Sequence, residues 1–102
     1  MAKSKLTPAD EKFIKEFLTP EILPFDAKLI RNNRFTDETV SVSPTVAAAF
    51  DFAMKLEPIL QDKDALKKVH EKLTPRNSIS KFDRARYIVM KLDSNAYMTL
   101  LD

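Results

Sequence analysis

The chain has 102 residues, a formal net charge of +2 and no cysteine, and 44% of its residues are hydrophobic while 31% are charged. This length and composition are typical of one globular domain, and they exclude a disulfide-stapled scaffold and any cysteine-ligated metal site. Glycine is also absent, although about 7% is usual. Its absence excludes the glycine-rich loops that bind phosphate groups and disfavours the tight hairpins of all-β folds.

The first predicted helix covers residues 8–18. Thr7 followed by Pro8 is a helix-start signal, because the threonine hydroxyl can accept a free backbone N–H and proline has no N–H of its own. Asp10 lies three residues after Thr7 and is therefore placed to complete a capping box. Apolar residues recur at helical spacing and predict the face that packs in the core: Phe13, Ile14, Phe17 and Leu18.

A second helix is predicted from residue 24 to residue 32. Asn32 and Asn33 are expected to end this helix, because asparagine tolerates the left-handed conformation that often follows a last helical turn. The residues expected to face inward are Phe25, Leu29 and Ile30.

Residues 36–43 are the least helical part of the sequence. Val40 and Val42 alternate with hydroxyl-bearing residues, and this period of two predicts a short extended segment. Because a single strand is not stable by itself, the segment is expected either to pair with a strand near the C-terminus or to remain a loop.

Residues 44–60 are the most apolar stretch and predict a central helix that is buried on several sides. This helix is therefore expected to be the hub of the core. Asp51 is the one polar residue in the stretch from 46 to 54, and Lys55 follows four residues later. We expect these two residues to form an exposed ion pair.

Two further helices are predicted in the C-terminal part. Asp62 is expected to cap the first, which covers residues 63–73, and the second covers residues 78–92. The inward-facing residues of the first are Leu66, Val69 and Leu73. Those of the second are Ile79, Phe82, Ala85, Val89 and Leu92.

The C-terminal segment allows two interpretations. Tyr97–Leu101 can form a short helix, which we expect, or it can pair with Tyr87–Leu92 as a β-hairpin around a turn at residues 93–96. The whole sequence predicts a mainly α-helical, compact single domain over residues 1–102, built from four to five short helices. The exceptions are the extended segment at residues 36–43 and the hairpin alternative at the C-terminus.

Catalytic chemistry has few candidates in this sequence. The single histidine, His70, lies among charged residues and is expected to be a solvated surface residue. The acidic residues between 57 and 64 match no calcium-binding loop, because such a loop needs a glycine at its turn. We therefore expect no metal, no cofactor and no enzymatic activity.

Charge is distributed unevenly along the chain. Residues 1–35 carry a net charge of +2, residues 36–64 carry −4 and residues 65–102 carry +4. The C-terminal part has the order helix, short turn and second helix, the layout that places a recognition helix in a DNA major groove. One hypothesis is thus a nucleic-acid-binding surface, and the alternative is that two ordinary helices have solvated faces. The residues of this hypothesis are Lys67, Lys68, Lys72, Arg76, Lys81, Arg84 and Arg86.

An apolar C-terminal segment supports a different class of function. Tyr97, Met98, Leu100 and Leu101 either complete the chain's own core or bind a partner, and charge blocks of opposite sign suit self-association. We expect a non-catalytic protein-interaction or assembly module, a small regulatory or structural subunit that binds another protein or itself. The alternative is a small nucleic-acid-binding regulator that uses residues 65–92. No apolar stretch is long enough to span a membrane, and the lack of cysteine favours a cytoplasmic location.

Overall fold

A computed structural model describes residues 6–19, 27–33 and 35–101 of the chain. Over these residues it contains five α-helices and two antiparallel strands, which confirms the mainly α-helical prediction. A π-helical turn extends the first helix and a 3₁₀ turn extends the second. In chain order the elements are α1 (Pro8–Phe13), the π turn (Ile14–Leu18), β1 (Leu29–Asn32), β2 (Thr39–Val42), α2 (Pro44–Leu56), the 3₁₀ turn (Glu57–Ile59), α3 (Lys63–Val69), α4 (Ser78–Leu92) and α5 (Ser94–Leu100).

Helix α1 begins as its sequence predicts. The Thr7 hydroxyl accepts the Asp10 N–H at 3.1 Å, and the Asp10 carboxylate accepts the Thr7 N–H at 3.1 Å, so the capping box is confirmed. Phe13 and Phe17 lie in the core, and their ring centroids are 5.5 and 6.0 Å from that of Phe52 in α2. This aromatic cluster joins the N-terminal helix to the centre of the fold.

The helix predicted for residues 24–32 is wrong in its second half, where strand β1 forms instead. Strand β1 pairs antiparallel with β2, and Leu29 lies opposite the fully buried Val42. The side chains of β1 alternate, so Ile30 is 61% exposed and does not face the core. Pairing with β2 overrides the local helical pattern, because it satisfies the backbone and buries one side of both strands. Phe25 and the start of the predicted helix lie outside the described residues.

The strand predicted within residues 36–43 is confirmed as β2, although its partner is β1 and not a strand near the C-terminus. Asn33 holds the loop between the two strands and does not cap a helix. Its side-chain oxygen accepts the N–H groups of Phe35 and Thr36 at 2.7 and 3.1 Å. Its amide nitrogen donates to the Thr99 carbonyl in α5 at 2.9 Å. A buried asparagine thus ties the hairpin to the C-terminal helix.

Helix α2 is the buried hub, as predicted. Ser43 caps it by accepting the Val46 N–H. Asp51 is partly exposed, as expected, but it accepts two hydrogen bonds of 2.9 Å from Arg31 of β1 and does not pair with Lys55. The predicted pair is wrong because a guanidinium can bind both carboxylate oxygens at once. The buried residues of α2 are Val46, Ala47, Ala49, Phe50, Phe52, Ala53 and Leu56.

Helix α3 begins at the predicted cap and is shorter than predicted. Asp62 accepts the Ala65 N–H at 3.1 Å, and the helix ends at Val69 rather than at residue 73. Leu66 and Leu73 are nevertheless fully buried, as predicted. Leu73 therefore still packs in the core, although it lies beyond the end of the helix.

Helix α4 has the predicted bounds, and its predicted inward face is confirmed at Ala85 and Val89 and partly at Phe82, but it is wrong at both ends. The Ser78 hydroxyl donates to the Leu60 carbonyl at 2.6 Å, which turns the start of the helix inward at residue 78 rather than at residue 79. Ile79 is consequently 48% exposed, and Leu92, at the far end of the helix, is 38% exposed. The prediction that these two residues are buried is wrong. The buried residues of α4 are Ser78, Ala85, Ile88 and Val89.

The C-terminal segment forms helix α5, so the helix prediction is confirmed and the hairpin alternative is wrong. Asp93 caps α5 by accepting the Ala96 N–H at 3.0 Å. Helix α5 packs on α4 and on the β1–β2 hairpin, and Leu100 is buried in this contact. No helix within the described parts of the chain is long and apolar enough to cross a membrane.

Candidate functional site

The seven basic residues predicted to bind nucleic acid do not share one face. Helix α4 packs chiefly on α2, whereas α3 packs chiefly on the 3₁₀ turn. Lys81 and Arg84 lie beside the N-terminal helical segment, and Arg86 lies on another side of α4 beside α5. The remaining four are exposed on α3 and on the turn after it: Lys67, Lys68, Lys72 and Arg76.

Arg84 belongs to a buried charge cluster at Asp10. The Asp10 side chain is 2% exposed and accepts the Arg84 Nη1 at 2.6 Å, the Lys91 Nζ at 2.7 Å and the Thr7 N–H at 3.1 Å. Burial by itself raises the pKa of this carboxyl, but the hydrogen bonds from Lys91, Thr7 and Arg84 outweigh it and lower the pKa to about 2. The cluster fixes α1 to α4 and engages Arg84 within the fold.

A second cluster surrounds Glu16 on the π turn. A hydrogen bond from Lys72 lowers the pKa of the Glu16 carboxyl, and the charges of Lys12 and Lys81 lower it further. The Lys81 ammonium also lies 5.0 Å from the centre of the Phe17 ring. Three lysines around one glutamate leave this part of the surface positively charged.

His70 is a structural residue, so the prediction that it is solvated on the surface is wrong. Its Nε2 lies 3.0 Å from the Glu16 carbonyl oxygen, and its Nδ1 accepts the Lys72 N–H at 3.1 Å. The imidazole also packs on Phe17, with the ring centroids 4.4 Å apart. Both ring nitrogens are therefore engaged in holding the end of α3 against the π turn.

The side of α4 that does not pack on α2 carries apolar side chains that the core does not use. Ile79 is 48% exposed, Tyr87 is 56% exposed and Met90 is 38% exposed. Asp83 and Arg86 lie among them and form an ion pair of 3.5 Å. We call these five residues the outer face of α4. A helix needs a single apolar stripe to pack in its own domain, so the exposed apolar side chains of this second stripe are more than the packing of α4 on α2 requires, although the Lys91 ammonium lies over the Tyr87 ring at 5.6 Å.

Arg86 joins the outer face of α4 to α5. Its Nη2 donates to the Tyr97 hydroxyl at 3.3 Å, and its guanidinium lies over the Phe82 ring, 5.3 Å from the ring centre. Tyr97 therefore stands beside the outer face of α4, and a groove of about 270 Å³ lies between them. The stacked and hydrogen-bonded guanidinium is held in one position at the edge of this groove.

The four C-terminal residues predicted to bind a partner divide between core and surface. Leu100 is 5% exposed and lies in the core, and Tyr97 and Leu101 are half-buried against it. Met98 is 63% exposed. Leu100 and Leu101 thus complete the chain's own core, whereas Met98 and the hydroxyl end of Tyr97 lie at the surface.

A cleft of about 310 Å³ lies between β1 and α2. Its walls include the apolar side chains of Phe17, Leu29 and Phe52, and its charged groups include the paired Arg31 and Asp51. The opposite charges of this pair neutralise each other, and the exposed Lys55 adds one positive charge to the lining. Within the described residues, no three histidine or acidic side chains are grouped closely enough to hold a metal ion.

Comparison with family models, with characterised proteins and with solved structures finds no significant match to this chain. Among the exposed apolar side chains, Ile79, Tyr87 and Met90 are grouped on one face of one helix, which distinguishes the outer face of α4 from single exposed residues such as Ile30.

The signal for the outer face of α4 is present in the sequence but ambiguous. Ile79, Asp83, Arg86 and Met90 follow one another at intervals of four, three and four residues, which keeps them on one side of a helix. By spacing alone, Ile79 also fits the buried stripe of Ala85 and its neighbours. Only the packing of α4 on α2 separates the two faces.

Proposed function

We propose that this chain is a non-catalytic protein-interaction module, a small regulatory or assembly subunit that binds its protein partner through the outer face of α4. The observation that carries this proposal is the exposure of Ile79, Tyr87 and Met90 on a helix whose opposite face is buried. Apolar side chains that share an exposed patch are characteristic of protein-binding surfaces.

The residue types of the outer face support a protein partner. Tyrosine, methionine and arginine are enriched at the centres of protein interfaces, and Tyr87, Met90 and Arg86 supply all three. Tyr97 borders the same groove, so part of the C-terminal segment predicted from the sequence joins this surface. Arg86 is already held by Tyr97 and loses less conformational freedom on binding than a mobile arginine would.

We also propose that the chain lies in the cytoplasm, and one observation supports each of the non-catalytic and cytoplasmic parts of the proposal. His70 is engaged on both ring nitrogens, so the one histidine of the chain serves packing rather than proton transfer. The sequence has no cysteine, which is in keeping with a reducing compartment.

Site-specific photo-crosslinking tests the proposal. A benzoylphenylalanine replaces Tyr87 on the outer face of α4, and a control variant carries it at Glu11, which is exposed on α1. After irradiation in the native cells, the Tyr87 variant should form an adduct with one defined polypeptide, identified by mass spectrometry. The adduct should disappear when Ile79→Lys is added. The absence of an adduct at Tyr87, or the same adduct from both positions, would overturn the proposal.

Nucleic-acid binding is a second candidate, and the lysines around Glu16 favour it. Lys12, Lys72 and Lys81 come from three different segments and converge on one positively charged surface, and the exposed Lys15 lies beside Lys12. Four phosphate contacts predict an affinity loss of about a hundredfold when salt rises from about 50 to about 200 mM.

Fluorescence anisotropy of labelled duplex and single-stranded DNA measures this salt dependence. The double variant Lys12→Glu/Lys81→Glu should lose binding, whereas Lys68→Glu, on the exposed side of α3, should retain most of it. A lack of binding at the lower salt concentration would exclude this second candidate.

A further inference from the structure

We infer that the partner on the outer face of α4 is a second copy of this chain, docked antiparallel about a two-fold axis. The inference rests on the proposed function, because it names the partner of the same surface. The observation behind it is the order of side chains along the exposed stripe, which is apolar, acidic, basic and apolar in Ile79, Asp83, Arg86 and Met90.

When two copies of helix α4 lie antiparallel, the stripe of one copy is complementary in charge and hydrophobicity to the stripe of the other. Its midpoint lies between Asp83 and Arg86, and an apolar residue stands four positions beyond each of them. A two-fold axis through this midpoint places Asp83 of each copy opposite Arg86 of the other and Ile79 opposite Met90. Because a two-fold interface makes every contact twice, two ion pairs at the centre are flanked by two apolar contacts.

The charged groups at the centre are accessible to a second copy, although Arg86 also contacts Tyr97 and Phe82. The Asp83 and Arg86 side chains are 56% and 36% exposed, and the ion pair within one chain is 3.5 Å long, compared with 2.9 Å for Arg31 and Asp51. Such an exposed pair contributes little to the stability of one chain. An oppositely charged pair in a second copy can therefore replace this weak pair at the Asp83 carboxylate and the Arg86 Nη1, while the Arg86 Nη2 keeps its bond to Tyr97.

The groove beside Met90 provides a site for the apolar end of the stripe. It has a volume of about 270 Å³ and is lined by Met90, Tyr87 and Tyr97 as well as by the central charged pair. In the antiparallel arrangement the second copy's Ile79 reaches Met90 at this groove. Ile79 is exposed in the single chain, and in the dimer it would be buried in the groove of the other copy.

The size of the contact predicts a reversible dimer. Helix α4 has 15 residues and is about 22 Å long, so a single pair of such helices buries less surface than the roughly 1,200 Å² of a standard stable interface. We therefore expect a monomer–dimer equilibrium that depends on protein concentration. Binding to an unrelated protein would not require Asp83 and Arg86 to be placed symmetrically about the midpoint of the stripe, whereas binding to a second copy does.

Sedimentation equilibrium of charge-reversal variants tests the inference. The mass of the wild-type chain should rise with concentration from that of one chain towards that of two. Asp83→Arg or Arg86→Asp alone places like charges opposite each other twice, and each should weaken association about tenfold or more. A mixture of these two variants restores opposite charges at both positions, so the mixture should associate about as well as the wild type.

Two more variants keep the test independent of folding defects. Ile79→Lys changes an exposed side chain and should also weaken association, whereas Lys68→Asp, a charge reversal on α3, should not. A wild-type chain that stays monomeric would overturn the inference, and so would a mixture of folded variants, checked by circular dichroism, that fails to associate. The crosslinking experiment separates the two proposals, because an adduct with a different polypeptide supports the docking surface and overturns self-association, whereas no adduct overturns both.

Discussion

Asp10→Asn removes the negative charge that holds Arg84 and Lys91 against α1, while an asparagine side chain can still accept the Thr7 N–H. Burial raises the pKa of Asp10, but its hydrogen bonds lower the pKa from 3.8 to about 2. At about 1.36 kcal/mol per pKa unit, this difference corresponds to about 2 kcal/mol of the free energy of unfolding at neutral pH. Arg84 and Lys91 are 39% and 26% exposed, so water partly stabilises them after the substitution and the loss stays near this value.

The pH dependence of this contribution has a definite sign. Because the pKa of Asp10 is lower in the folded chain than in the unfolded chain, its contribution is fully present above its ordinary value of 3.8. The contribution is lost as the pH falls through the folded value of about 2. The difference in unfolding free energy between the wild type and Asp10→Asn should therefore shrink as the pH is lowered through this range.

Urea denaturation followed by circular dichroism measures this difference. With an m value of about 1–2 kcal/mol/M, the midpoint for Asp10→Asn should fall by about 1–2 M at neutral pH. Glu11→Gln is the matched control, because it makes the same charge change at the next, exposed residue and should shift the midpoint little. A midpoint within about 0.3 M of the wild type, or a difference that does not change with pH, would refute the reasoning.

Three further substitutions test tertiary contacts. Asn33→Ala should lower the unfolding free energy by about 2–3 kcal/mol in urea denaturation, because it removes the hydrogen bonds of the hairpin loop and the bond to the Thr99 carbonyl. Ser78→Ala should lower it by about 1–2 kcal/mol, because the substitution removes the hydrogen bond from the buried Ser78 to the Leu60 carbonyl, and a lower Tm in thermal unfolding checks this. Asp51→Asn should lower it by at most about 1 kcal/mol, since Asp51 and Arg31 are partly exposed, and denaturation at two salt concentrations checks this.

Exposed neighbours provide the controls for the first two substitutions, and salt provides the control for the third. Asn32→Ala and Ser80→Ala change the same residue types at exposed positions and should leave stability almost unchanged. Equal losses at the buried and exposed positions would contradict the assigned roles of the hydrogen bonds. The effect of Asp51→Asn should decrease in about 1 M salt, where charges are screened within about 3 Å, and an effect independent of salt would argue against the ion pair.

The starts of the helices could be predicted from the sequence because their signals are local. Thr7, Ser43 and Asp62 each precede a helix, and each accepts the N–H of the residue three positions later. Such a cap involves one side chain and the first turn that follows it, so distant parts of the chain have little influence on it. Helix α4 also has the predicted bounds, although no side chain caps its first turn.

Strand β1 could not be predicted because its evidence lies elsewhere in the chain. The sequence from Leu29 to Asn32 is short and has no clear period of its own. Its conformation follows from pairing with β2 and from the contact of Arg31 with Asp51, which lies 20 residues away. A prediction from local pattern therefore extended the helix that it placed from residue 24 through these residues.

By itself, the sequence determined that this protein is mainly helical, where most of its helices begin and which helix forms the hub, because periodicity and capping act within a few residues. Only the tertiary structure decided which charges are paired within the fold. Asp10 meets Arg84 and Lys91, which are 74 and 81 residues later in the chain. Only the tertiary structure also decided that Ile79 is exposed, because spacing places a residue on a face of a helix, whereas packing decides whether that face is covered.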